Sequence, residues 1–329
     1  MLDGQQNNVL HALFSCRGGQ KNDCSEILER IHCSLSKTQL EEAYRARNTI
    51  GCTPLWILIA YGNVELLKQV RKTFVDTDQI DSFLEILIIA NNQGDSPFLA
   101  TCSQGNLDMV RYLREELLSP DQFDEAVAKS NSKGTTPLQI IVGNHQLPLL
   151  EYIIREASPT VRSQSLDSNK AGLSLFHICS ERNAHELLRT ILTFLTDKES
   201  RKRDIEKILS LKDKNGANAL HVAAFCGNNE TMQAWVNVIK ETSFDDGICD
   251  EKHKIEMLDK RDGQARTAYW LGMVQGHDRI GEMLADEGVD TSNPKMMKEI
   301  EEANERRTKA STSRQQQSRI IDGSALLGR

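Results

Sequence analysis

Eight histidines and eight cysteines are the side chains of this sequence from which a thiolate nucleophile or a zinc site could be built. Three groupings lie close enough along the chain to be weighed: Cys24 with His32 and Cys33, His177 with Cys179, and His221 with Cys226. A Cys–His nucleophile needs the imidazole within hydrogen-bond reach of the thiol, and a zinc centre needs three or four ligands at characteristic spacings. Cys24, His32 and Cys33 lack ligand spacing on both sides, and no C-x-x-C pair occurs. The phosphate-cradling loops G-x-x-x-x-G-K-[ST] and G-x-G-x-x-G, the G-x-S-x-G elbow and the H-E-x-x-H helix are absent as well. Gly18-Gly19 then reads as a loop insertion. The expectation is no catalytic residue, no cofactor and no metal site, with the scattered thiols reduced and most of them buried.

The elements that must position these side chains explain the histidines better. His11, His177 and His221 occupy one position of an internal repeat. Its clearest copies are GCTPLWILIAYGNVELLKQV from Gly51, GDSPFLATCSQGNLDMVRYL from Gly94 and GTTPLQIIVGNHQLPLLEYI from Gly134. Weaker copies start at Gly172, Gly216 and Ala265, and a degenerate one, NNVLHALFSCRG, opens the chain. Each recurring residue has a physical task. The glycine suits a turn position with positive φ. Thr53, Ser96, Thr136 and Ser174 suit N-caps, and Pro54, Pro97 and Pro137 the first helical position, where a missing N–H costs nothing. A short apolar helix follows, closed by Gly62, Gly105, Gly227 or Gly276 as a left-handed cap. A second helix starts at once, capped by Asn63 or Asn106, with Val64, Leu67 and Val70 or Leu107, Val110 and Leu113 at helical spacing. Neither helix is long enough to stand alone, so each pair must be buried against its neighbours.

This G-x-T-P-L-H-x-A-A-x-x-G-N pattern resembles the ankyrin repeat, most fully in GANALHVAAFCGN from Gly216. The resemblance implies an all-α solenoid of about six to seven helix-turn-helix units over residues 1–290, first and last degenerate, followed by a C-terminal helix and flexible tail over 291–329. Trp56, Leu99, Gln139 and Trp270 replace the family's histidine, His145 and Asn183 the inter-helix glycine, and Pro148 enters a second helix. Strain or a shift is expected at those places, above all in the fourth and last copies. The capping positions are 43, 40, 38, 44 and 49 residues apart from Thr53 to Thr267, against about 33 for a plain ankyrin unit. The excess carries apolar residues three and four apart behind a Ser or Asp, which predicts a short third helix in most linkers. Such linkers look like those of ankyrin effectors that intracellular bacteria, Legionella and its relatives, deliver into host cells. The glutamate-rich tail is similar to their type IV secretion signals.

The resemblance implies a non-enzymatic scaffold for protein–protein interaction. In the family the partner is read by the residue after the turn glycine and the two before the inter-helix glycine. In the first half of this chain those positions include Tyr61, Asp95, Gln104, Thr135 and Asn144. In the second half they include Glu181, Arg182, Phe225, Arg266 and Gln275. Aromatic and Arg side chains dominate interface energies, which favours Tyr61, Phe225, Arg182 and Arg266. The alternative is an effector with an enzymatic or modifying activity built on an insertion or the N-terminal region, but the repeats consume nearly all the length. A net charge of -7 gives no global pull toward nucleic acid. Arg201, Lys202 and Arg203 form the one candidate basic patch. No stretch has the 18 to 20 apolar residues of a membrane span or the form of a secretory signal. The expectation is a monomer, cytosolic or secreted into a host cytoplasm, whose partner is another protein.

Overall fold

The computed structural model describes residues 2–15, 21–158, 168–195, 201–242, 244–245 and 248–326. The Gly18-Gly19 insertion and the starts of the linkers before Gly172 and Gly216 lie outside them. The described residues are helical, apart from a two-residue antiparallel ribbon pairing Phe244–Asp245 with Ile248–Cys249. The chain divides into two compact units, Met1–Leu175 and Phe176–Arg329.

In the first unit the helices come in triplets. α1 (Val9–Ser15), α2 (Lys21–Ser34) and the linker helix α3 (Lys37–Arg45) form the first; α4 (Pro54–Tyr61), α5 (Val64–Asp76) and α6 (Ile80–Leu87) form the second. The third has α7 (Pro97–Gln104), α8 (Leu107–Tyr112) and α9 (Pro120–Ala128), and the fourth α10 (Pro137–Gly143) and α11 (Leu147–Glu156). Capping follows the sequence closely. Thr53, Ser96 and Thr136 each accept the N–H three residues on, with proline next in the helix, and Asn63 and Asn106 do the same for α5 and α8. Ser36 and Ser119 make full capping boxes at α3 and α9, whereas α6 starts at Gln79 without a side-chain cap. Leu55 and Leu58 of α4 are fully buried, each contributing about 2 kcal/mol of transfer free energy. Rings run through the core as Phe14, Tyr44, Phe74 and Phe83, with centroids 5.2–6.2 Å apart.

Departures from the pattern leave its backbone intact. His145 stands at the inter-helix glycine's position and keeps its left-handed turn at φ 57°, although α10 ends one residue earlier than its counterparts, at Gly143. Pro148 sits in the first turn of α11, where it displaces no intrahelical donor.

The second unit repeats the scheme. α12 (Leu175–Glu181), α13 (His185–Leu195) and α14 (Arg201–Ser210) are followed by α15 (Ala219–Cys226), α16 (Asn229–Thr242) and α17 (Glu251–Leu258). The last pair is α18 (Ala268–Gln275) and α19 (Asp278–Asp286). Asn183 replaces a cap glycine at φ 55°, and Ala265 replaces the turn glycine at φ 60°. Each such non-glycine residue costs about 1 kcal/mol. Trp235, fully buried, packs on Phe176 and donates to the Ser180 hydroxyl at 3.0 Å.

The C-terminus differs from its expected form. One helix, α20, runs Pro294–Leu326 rather than ending near residue 309, because nothing from Ala310 to Ile321 breaks a helix. Nor is it a separate tail. Its first turns pack on α18, with Ile300 buried, Glu299 accepting from the Trp270 indole at 2.9 Å and Arg307 donating to the Met273 carbonyl at 2.9 Å.

Candidate functional site

Two hydrogen-bond ladders decide which side chains are left for a partner. The first joins the apolar helix of one copy to the turn of the next. His11 Nε2 meets the Cys52 carbonyl at 3.0 Å, His177 that of Ala217 at 2.9 Å and His221 that of Arg266 at 3.0 Å. Trp56 Nε1 donates to the Asp95 carbonyl at 2.8 Å and Gln139 Nε2 to that of Leu173 at 3.2 Å. The residues that replace the repeat's histidine therefore keep its task, a side-chain N–H aimed at the next turn. Leu99 cannot. Trp270, with no turn beyond it, donates to Glu299 instead. Because Nε2 of His11 and His221 donates, their Nδ1 is the bare nitrogen and takes the backbone N–H of Asn8 or Asn218. Burial lowers the pKa of His11, His177 and His221 and holds them neutral.

The turns are braced by a residue that the sequence reading passed over. Asn48, Asn91, Asn131, Asn169, Asp213 and Asp262 stand three places before the turn glycine or its substitute, and their side-chain oxygens accept the N–H groups that follow. An Asn or Asp at a fixed offset from every turn glycine was the visible signal. The second ladder links inter-helix loops. Asn106 donates to the Gly62 carbonyl, Gln146 to Ser103, Asn228 to Ser180 and His277 to Phe225, all within 3.5 Å. Arg307 of α20 makes the same bond to Met273, and a Cβ at Gly276 would run into its guanidinium. α20 thus supplies both bonds that a further copy would supply.

Several of the candidate residues are spent in this framework. Asp95 accepts from the Asn131 amide at 2.9 Å, and Asn144 donates to the Ser103 carbonyl at 3.0 Å. Arg266 is paired with buried Asp262 at 2.6 Å and lies over the Trp270 ring. Its guanidinium was expected to read a partner, but a fully buried carboxylate beside it holds it in place. Thr135 is half-buried, while Gln104, Glu181, Arg182 and Gln275 are exposed. Tyr61 and Phe225 are 43% and 55% exposed, high for aromatic side chains. The supposed basic patch is also spent in part: Arg201 pairs with Glu241 at 2.9 Å and Lys202 with Asp250 at 3.5 Å.

Within the first unit, one groove of about 510 Å³ gathers Tyr61, Asp95 and Gln104 with Cys52, Ala60 and Ser103, but neither Thr135 nor Asn144. Ile50, 59% exposed at its edge, was not foreseen. The equivalent turn position holds Gln93, Lys133, Ala171, Asn215 or Gln264 elsewhere, so a large apolar residue there was a readable signal. Among the groove's described residues there is no lysine or arginine, and the one carboxylate is Asp95. A groove of the second unit beside Arg266 and Trp270 contains none of Glu181, Arg182, Phe225 and Gln275.

His32 and Cys179, one from each of two Cys and His groupings, are held inside the fold. His32 is used up by Tyr44 Oη at 2.9 Å and Thr73 Oγ1 at 2.7 Å, and burial brings its pKa down to about 4. The buried Cys179 thiol is pushed far up by desolvation, the reverse of nucleophile activation. Among the described residues no group of three or more His, Cys, Asp or Glu could hold a metal ion, and no helix is long and apolar enough to cross a membrane. No model of a known protein family matches the chain, and no curated protein sequence matches it.

Proposed function

We propose that this chain is a non-enzymatic scaffold of the ankyrin type that holds a segment of another protein in the groove beside Tyr61. The observation that carries this reading is that two exposed large hydrophobic side chains, Ile50 and Tyr61, line one groove whose single charged residue, among those described, is Asp95. Both lie outside the buried core. Their exposure costs free energy that an apolar partner side chain recovers, and polar Gln104 and Ser103 give a peptide backbone groups to bond. Without lysine or arginine the groove offers nothing to a phosphate, so a nucleic acid is not its ligand. The ankyrin assignment rests on the recurring turn, cap and ladder residues. That the partner is a host protein rests on the likeness of the linkers to effectors, and a translocation assay of a chain lacking residues 310–329 tests delivery.

Trp56 lines the groove and reports on it directly. Proteins captured from lysate by the full chain should be lost with the double variant Ile50→Ser, Tyr61→Ala, and peptides from them should change Trp56 emission. Both positions are exposed, so the melting temperature should stay within about 2 °C. Undiminished capture by the double variant at unchanged stability would sink the groove as the binding site.

A further inference from the structure

A second, more apolar groove of about 320 Å³ lies in the first unit between the linker helices α6 and α9, sharing no lining residue with the groove beside Tyr61. Leu84, Leu87, Phe98, Leu113 and Leu118 line it, and Ile88 stands 56% exposed on its edge. Its origin is local. α3 and α6 are tied by Arg45 to Glu85 at 2.6 Å and by Ser82 to Glu41 at 3.0 Å. No hydrogen bond joins α6 to α9 among the described residues, and the two stay apart. At the same place the chain after α8 winds into a π-turn, Leu113–Leu117, closed by Leu118 N–H on the Leu113 carbonyl at 2.8 Å. The two ends of that turn, Leu113 and Leu118, both face the gap. A π-turn is rare and marks functional sites more often than chance allows.

The charges select the occupant. α6 and α9 carry Asp81, Glu85, Asp121, Asp124 and Glu125 and no lysine or arginine; the groove's described lining has one cation, Lys129 at the end of α9, against the three carboxylates Asp81, Glu85 and Glu125. Asp81 and Glu125 are exposed on the groove's rim. We propose that this groove docks a protein segment presenting a leucine- or phenylalanine-sized anchor flanked by lysine or arginine, independently of the groove beside Tyr61. The anchor enters between Leu84, Ile88 and Leu118, and the flanking cations sit against Asp81 and Glu125. A volume of this size suits one or two such anchors.

The test is selection of a random 12-residue peptide display library on the immobilised full chain. Enriched peptides, resynthesised, should carry an apolar anchor with adjacent Lys or Arg. They should bind the Tyr61→Ala variant as they bind the parent, which separates this site from the proposed function. Ile88→Asp, which sets a charge against the apolar anchor, and separately the pair Asp81→Lys, Glu125→Lys, which sets like charges against the peptide's cations, should each weaken them about tenfold or more. Circular dichroism of both variants must match the parent, which the exposure of all three residues ensures. Enriched peptides without basic residues, binding indifferent to the charge-reversed pair, or binding lost with Tyr61→Ala would each overturn the proposal.

Discussion

His221 offers the sharpest test of the ladder. It is 1% exposed, its Nε2 meets the Arg266 carbonyl at 3.0 Å, and its Nδ1 takes the Asn218 N–H at 3.3 Å. Replacing it with leucine removes both bonds. The Arg266 carbonyl keeps the Asp262 N–H at 2.9 Å, so its loss costs only the bond, about 1 kcal/mol. The Asn218 N–H is left buried without its partner, at about 1–3 kcal/mol. Leucine recovers part of this through its larger apolar surface, leaving about 2 kcal/mol. Glutamine should do far better, because Gln139 already plays both parts in the fourth copy, accepting from the Thr136 N–H at 3.2 Å and donating to the Leu173 carbonyl at 3.2 Å. We expect His221→Gln to cost under about 1 kcal/mol. In a unit of this size the leucine variant should melt about 4–8 °C lower and the glutamine variant within about 3 °C of the parent. Fluorescence of Trp235, fully buried in the same unit, follows the transition. The pH dependence gives a second reading. Burial lowers the folded pKa of His221 below its ordinary 6.5, so the unfolded chain binds the proton more readily. The parent therefore loses stability as pH falls from 6.5 toward the folded pKa, and His221→Gln should lose less over that window. Equal melting of the leucine and glutamine variants at pH 7.5, or parallel pH profiles of parent and His221→Gln, would refute the reasoning.

Removing residues 294–329 uncovers α18 and discards the burial of Ile300 with the bonds from Trp270 and Arg307, about 4 kcal/mol in all. Thermal melting should show a loss near 10 °C, whereas removing only 310–329 should change little. His145 holds a left-handed φ of 57° and is exposed, so His145→Gly should raise stability by about 0.5 kcal/mol in urea titration. Gly227→Ala, at φ 75° with a Cβ 2.6 Å from the His277 ring, should lower it by about 1–3 kcal/mol in the same titration. Iodoacetamide at pH 8 should label exposed Cys33 and Cys226 in the folded chain and spare Cys52, whose thiol burial pushes up to about 11, as well as Cys102 and Cys179; mass spectrometry of the digest decides.

The sequence alone determined what is local. Thr53, Ser96, Thr136 and Asn63 act on N–H groups two or three residues away, and the cap glycines set their own φ, so their types announced the helix starts and stops. The linker helices were equally legible from apolar spacing. Only the tertiary structure decided what joins residues some forty positions apart. Trp56 and Gln139 look like departures from a histidine until each is seen donating to the next turn. Arg266 looked free to read a partner until Asp262 took it. The first turns of α20 were legible as a helix, but not that Glu299 and Arg307 would meet the bonds that α18 leaves open. The physical reason is the same in each case. A cap is satisfied within its own turn, but a buried donor or a bare helix face is satisfied by whatever the stacking brings against it, and residue type alone does not say what that will be.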